Sequence, residues 1–214
     1  MAHGSGIAMT NSEQWHAPAE PVTPPAIVAV PAAGRSNLRG SRLVIGVPGL
    51  GWRGDLRGDS PVVQASRTYV PVLPEQEWYR AEAEQIEVFA PLVPIDRVWI
   101  EVPESVAAGS GVPTTTNPST AQASDVFGRL VSLDAPPRRA PVPMRDVPLV
   151  TGRRVVLADG ARAQRDIRAV TEVYQNSDGD VCVRICSELD WYRWAWHGQL
   201  PRTREVPIYL LWAE

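Results

Sequence analysis

The chain contains no lysine: all 21 basic residues are arginine. That excludes a phosphate loop built on Gly-Lys-Ser/Thr, Schiff-base chemistry, and any lysine nucleophile or base. The bias fits GC-rich coding better than avoidance of lysine-directed tagging. Cysteine is nearly as scarce, with two residues, too few for a disulfide-built miniprotein. Three histidines add little material for zinc, so neither a metal site nor a cofactor is assigned. No apolar run approaches the roughly 18 residues that cross a bilayer, so no membrane contact is expected. The N-terminus lacks the basic region and apolar core of a secretory signal. Residues 1–8 read as a leader ahead of Met9, and two unpaired cysteines make the expected compartment cytoplasmic. With 24 acidic side chains against 21 basic, the net charge of -3 argues against a nucleic-acid partner.

What is abundant is proline (21 residues) and glycine (16), above the usual share but below that of a wholly disordered chain. The proline falls in blocks. Residues 1–39, including PVTPPAIVAVP, read as a disordered tail, because each proline fixes its own φ and restricts its predecessor. Residues 105–151 offer little apolar surface against the entropy of ordering and read as a Pro/Ser/Thr-rich linker. One apolar island, 126–133, interrupts that linker. This leaves two compact blocks, 40–104 and 152–214.

The two blocks resemble each other. Gly40-Ser-Arg-Leu-Val-Ile45 matches Gly152-Arg-Arg-Val-Val-Leu157, and Asp55-Leu-Arg57 matches Asp166-Ile-Arg168. Val70 to Arg80 matches Val183 to Arg193 at five of eleven positions, ending in Trp-Tyr-Arg both times. From the composition that tripeptide is expected about 0.02 times in such a chain. The order is preserved, with offsets between 110 and 113, which indicates a tandem repeat of one module.

Within the module apolar residues alternate, as in Val181, Val183 and Ile185. Asn176 to Asp180 is a hairpin turn signal. Four or five short strands per module are expected, with Pro74 to Phe89 the one good helix candidate. The final strand is apolar on both faces, with Leu210 and Trp212 on one side and Tyr209 and Leu211 on the other, which suggests packing between modules. The expected fold is therefore mostly β: two homologous small barrels, SH3-like by analogy, each closing to hide its edges.

The densest candidate site is Trp191-Tyr-Arg-Trp-Ala-Trp-His197. Trp191, Tyr192 and Arg193 recur as Trp78, Tyr79 and Arg80 and belong to the shared scaffold. Trp194 and Trp196 align with Ala81 and Ala83, so they are particular to the second module. These two, with His197 and Arg193, are the candidate partner-binding residues, since such clusters stack planar groups or cage cations. The competing interpretation is core or interface packing. Glu75/Glu77 and Glu188/Asp190, read as strand residues sharing a face, would resemble an acid/base pair, but their recurrence favours ion pairing with the following arginine. Cys182 and Cys186 read as buried packing residues. Two Arg-Gly-Asp triplets, at Arg53 and Arg57, read as a glycine-rich loop. Asn176 to Asp180 lacks the rest of a calcium loop, and Gly46 to Gly54 lacks a phosphate-loop pattern.

No catalytic residue emerges. The function expected is a non-enzymatic binding or adaptor protein engaging a protein partner, or its own copies, through the aromatics of the second module. The alternative is a structural assembly component, such as a phage or particle protein, using tail and linker as arms.

Overall fold

The computed structural model describes residues 22–47, 49–109, 135–159 and 162–214. The leader and the apolar island at 126–133 lie outside them. The chain is mostly β, with two seven-stranded sheets whose ladders are all antiparallel. No described helix is long and apolar enough to cross a membrane.

The first half comprises β1 (Ile27–Pro31), β2 (Arg42–Val47), β3 (Gly51–Gly58), β4 (Val62–Gln64), β5 (Arg67–Pro74), α1 (Glu75–Glu84), β6 (Leu92–Pro94), β7 (Val98–Pro103) and α2 (Glu104–Gly109). The second comprises β8 (Val142–Pro143), β9 (Arg154–Asp159), β10 (Arg162–Ala169), β11 (Tyr174–Gln175), β12 (Val181–Ser187), α3 (Glu188–His197), β13 (Arg204–Pro207) and β14 (Leu211–Ala213). The first sheet runs β1-β7-β2-β3-β5-β4, with β6 also on β5. The second, read from its other end, runs β8-β14-β9-β10-β12-β11, with β13 also on β12. The two halves therefore share one order of connections. Each encloses its own core, around Leu38, Leu43, Leu56, Val70 and Val98 in the first and Met144, Val150, Val155, Ile185 and Leu211 in the second.

Three sequence expectations are corrected. Within the expected tail, residues 22–39 are part of the fold, because Ala26, Ile27, Val30, Ala32 and Leu38 are buried and β1 pairs with β7 over five residues. Its prolines are tolerated because β1 is outermost in the sheet, where missing N–H donors cost little. Residues 135–151 of the expected linker are likewise part of the fold. Backbone bonds of 2.9 and 3.0 Å join Arg139 to Ile27, β8 pairs with β14, and Met144 and Val150 enter the second core. Burying such apolar side chains contributes roughly 1.5–3 kcal/mol each, enough to offset local ordering. The Arg-Gly-Asp triplets lie on β3, with Asp59 just past its end, rather than in a loop. Gly58 sits in β3, where an added Cβ would lie 2.6 Å from Leu43 Cδ1, so its glycine serves close packing.

The helix expected at Pro74 to Phe89 forms as α1 but stops at Glu84, with Gln85 in the left-handed region at φ 53°. Its counterpart α3 runs through the Trp-Tyr-Arg motif, which had no helix assigned. Ser187 starts α3 by accepting a bond from the Asp190 amide at 3.1 Å, and Gly198 ends it at φ 66°. The final strand is also corrected. Ile208–Leu210 form a 3-10 turn that breaks the alternation, so Leu210 and Leu211 enter the same core while Trp212 joins Val156 and Ala158. The hairpin at Asn176 to Asp180 forms, closed by the Asn176 amide on Asp180 O at 2.9 Å.

Candidate functional site: a charge cluster between the halves

The most concentrated polar chemistry lies where α1 meets α3. Glu75 and Glu188 open these helices, where the positive end of each helix dipole favours a carboxylate. Each follows directly on a strand, β5 or β12, and both side chains are within 1% of full burial.

Four strand arginines converge on them. Arg57, from β3, pairs with Glu75 at 3.1 Å and with Glu188 of the other half at 2.8 Å. Its counterpart Arg168, from β10, lies 3.6 Å from both carboxylates. Arg154, from β9, reaches Glu188 at 3.0 Å and also bonds Glu75. Arg42, its counterpart on β2, lies 3.4 Å from Glu188 and bonds Glu214. Two aspartates close the rim, Asp166 on Arg42 and Arg57 at 2.9 Å each, and Asp55 on Arg154 at 2.9 Å. Asp55 and Asp166 both adopt positive φ, 58° and 60°, where the β2–β3 and β9–β10 ladders shift register. Such bulges bend a strand and re-aim its side chains, here toward the other half.

Tyrosines complete the arrangement. Arg57 donates to the Tyr79 hydroxyl at 2.9 Å, and Arg168 to Tyr192 at 3.0 Å. Each guanidinium lies 5.3 Å from its tyrosine ring centroid. The Tyr79 hydroxyl donates across to Glu188 at 2.9 Å, and Tyr192 to Glu75 at 3.3 Å. The rings themselves stack across the boundary, centroids 5.3 Å apart and planes 22° from parallel. Most contacts thus occur twice with the roles of the halves exchanged, the signature of a self-complementary two-fold interface.

The electrostatics follow from this packing. Burial and the nearby Glu188 carboxylate raise the Tyr79 hydroxyl pKa, keeping it neutral. Burial works against the Arg42 charge, but Glu214, Glu188 and Asp166 outweigh it and hold the proton more firmly. Asp166 is likewise opposed by burial, yet Arg42 and Arg57 hold its carboxyl below the usual range. With Arg165 on Glu214, five guanidiniums face five carboxylates, and the cluster is balanced. Its acids are occupied by arginines, so it holds the halves together and offers no open acid/base pair. Burial pushes the Cys182 and Cys186 thiols up to about 11 and about 12, so neither is a ready nucleophile at neutral pH.

The candidate binding residues divide over α3. Trp196 stacks on Tyr192 at 6.1 Å and 21°, extending the tyrosine pair, and His197 lies 3.4 Å from Glu84 of α1. Trp194 stands edge-on to Trp191 at 5.3 Å. Arg193 is half exposed, 3.8 Å from Asp190, beside a small opening lined by Gln199 to Arg202. The structure thus brings Trp196 and His197 to the α1–α3 boundary and turns Trp194 and Arg193 elsewhere. Glu75 and Glu77 do not share a face: the first is buried in the cluster, the second exposed. The expected partner of Glu75, Arg80, pairs instead with Glu84 at 3.2 Å.

The arginines of the cluster were not singled out from the sequence, although Asp55-Leu-Arg57 and Asp166-Ile-Arg168 were part of the repeat. Their recurrence was the available signal. Among the described residues no group of acids, cysteines and histidines could hold a metal ion. Comparison with protein families, curated proteins and solved structures finds no match to this chain.

Proposed function

We propose that this chain is a non-enzymatic binding protein, built by tandem duplication of a small SH3-like β module and locked into one rigid body. The shared strand order, the paired bulges at Asp55 and Asp166 and the two-fold arrangement of the cluster support the duplication. The modules proposed span 40–104 and 152–214, each completed by an outer strand from the proline-rich segment before it.

One observation carries the reading. The polar groups best placed for chemistry are neutralised against each other inside the boundary between halves. What remains outward, on a fixed frame, is a mixed surface: exposed apolar side chains such as Leu50, Val63, Phe89 and Leu200 stand among charged ones such as Glu77 and Arg80, which suits a protein partner met in the cytoplasm. The frame also bears on the assembly alternative. Residues 22–39 and 135–151, proposed as arms for neighbouring subunits, are engaged within their own chain.

Light scattering on a sizing column tests this, with the chain loaded over a hundredfold range of concentration. A single mass near 23.4 kDa that does not change with loading is expected. Large particles, or mass climbing with concentration, overturn the binding reading in favour of assembly.

A further inference from the structure

Beside the second half of α1 lies an open groove of about 560 Å3, bounded by the 85–91 segment and by β5 and β6. Trp78 and Ala81 form its floor, and Ile86, Phe89 and Leu92 its apolar wall. Phe89 is 89% exposed. Arg39, Asp59, Glu82 and Glu87 lie around the rim.

The other half of the chain shows what such a site accepts. Trp78 and Trp191 occupy matching helix positions, each against a glycine of positive φ, Gly40 and Gly152. Three residues on, the helices differ: Ala81 in α1 is Trp194 in α3. In the second half the Trp194 indole stands edge-on to Trp191, 5.3 Å between centroids and 85° between planes. In the first half the same helix position carries only a methyl group, and the groove opens there. The opening beside α3 is smaller, about 210 Å3, and runs past Asp190 and Arg193 instead.

We propose that this groove receives an aromatic side chain of a protein partner, with an arginine or lysine beside it in that partner. The proposal rests on the binding reading above and names its site and its partner's chemistry. Trp194 supplies the internal template for the aromatic group. An aromatic side chain buries on the order of 150–250 Å2, and the Phe89 wall provides apolar surface for it. Charge supplies the second element. Glu82 already binds Arg39 at 2.7 Å. Among the described residues Asp59 and Glu87 have no cationic partner, so the rim is net negative and selects a cation next to the aromatic group. The same sign disfavours two copies of this chain meeting groove to groove.

Methyl NMR on the full chain tests the proposal with N-acetyl-Arg-Trp-amide as probe. N-acetyl-Glu-Trp-amide and N-acetyl-Arg-Ala-amide are the comparison peptides. Saturable shifts at the Ala81, Ile86 and Leu92 methyls are expected with Arg-Trp, several-fold weaker binding with Glu-Trp, and none with Arg-Ala. Ala81→Trp, which copies the second half, is expected to keep the fold and abolish the Ile86 shift. Should that variant not fold, Phe89→Ala, at an exposed site, is expected to weaken binding several-fold. No shift with any peptide, equal binding of Arg-Ala, or unchanged binding in the folded Ala81→Trp chain or in Phe89→Ala overturns the site. Equal binding of Glu-Trp overturns the proposed cation. A chain of single mass that ignores the peptides loses this groove alone, whereas large particles refute the binding reading itself.

Discussion

Replacing Glu188 by glutamine should cost more stability than any surface substitution in this chain. The Glu188 side chain is fully buried. Its carboxylate meets Arg57 at 2.8 Å, Arg154 at 3.0 Å, Arg42 at 3.4 Å and Arg168 at 3.6 Å, and accepts from the Tyr79 hydroxyl at 2.9 Å. Glutamine keeps the shape and one acceptor oxygen but removes the charge. Four guanidiniums held away from water then face fewer anions, and breaking one side of a buried pair typically costs about 3–5 kcal/mol. In a domain of this size each kcal/mol lowers Tm by about 2–4 °C, so a fall of roughly 6–20 °C is expected. Calorimetry and urea unfolding measure it. Glu75→Gln should cost less than Glu188→Gln, because Glu75 accepts hydrogen bonds only from Arg154 and Tyr192, with Arg57 and Arg168 at ion-pair range and its Oε1 without a hydrogen bond. A loss below about 1 kcal/mol for both would refute the reasoning, since it would mean that water reaches the cluster and screens it.

Three further outcomes follow from the same geometry. Burial opposes the Asp166 charge, but Arg42 and Arg57 hold its carboxyl lower than in the unfolded chain. Its contribution is therefore fully present above the unfolded value of about 3.9 and is lost as pH falls through the folded one; Asp166→Asn should flatten the acid limb of a Tm–pH curve, and an unchanged limb would contradict this. Gly58→Ala places a Cβ 2.6 Å from Leu43 Cδ1 and should cost about 1–3 kcal/mol in urea unfolding; a neutral result would show that Leu43 yields freely. Cys182 and Cys186 are buried, with thiols pushed up to about 11 and about 12, so the native chain should react slowly with a thiol reagent and rapidly in denaturant. Equal rates would place them at the surface.

The likeness of the two blocks was legible because its markers are rare residues under tight local constraint. Trp78 and Trp191 lie against Gly40 and Gly152, and an added Cβ at Gly152 would come within 3.4 Å of the Trp191 ring. Such pairs constrain both residues. The outer strands β1 and β8 were hidden because proline reads as a breaker, and its tolerance at a sheet edge depends on topology that local composition does not reveal. The acid pairs mimic a strand for a related reason. Glu75-Gln-Glu77 alternates as a strand would, but Pro74 ends β5 and the helix begins at once. The charge cluster was least visible, since its partners stand 79 and 131 positions apart in Arg154–Glu75 and Arg57–Glu188. Only the fold specifies such pairs. The contrast between Trp194 and Ala81 was plain in the matched segments, but that a groove opens beside Ala81 required the structure.

Charges exchanged across their boundary lock the two halves together. A double-mutant cycle between Arg57 and Glu188, 2.8 Å apart and from different halves, tests this most directly. Arg57→Gln, Glu188→Gln and the double variant would be compared with the parent chain by urea unfolding. A coupling of about 1–3 kcal/mol is expected, with the double variant losing clearly less than the sum of the single losses. Additive losses, with coupling below about 0.5 kcal/mol, would contradict it.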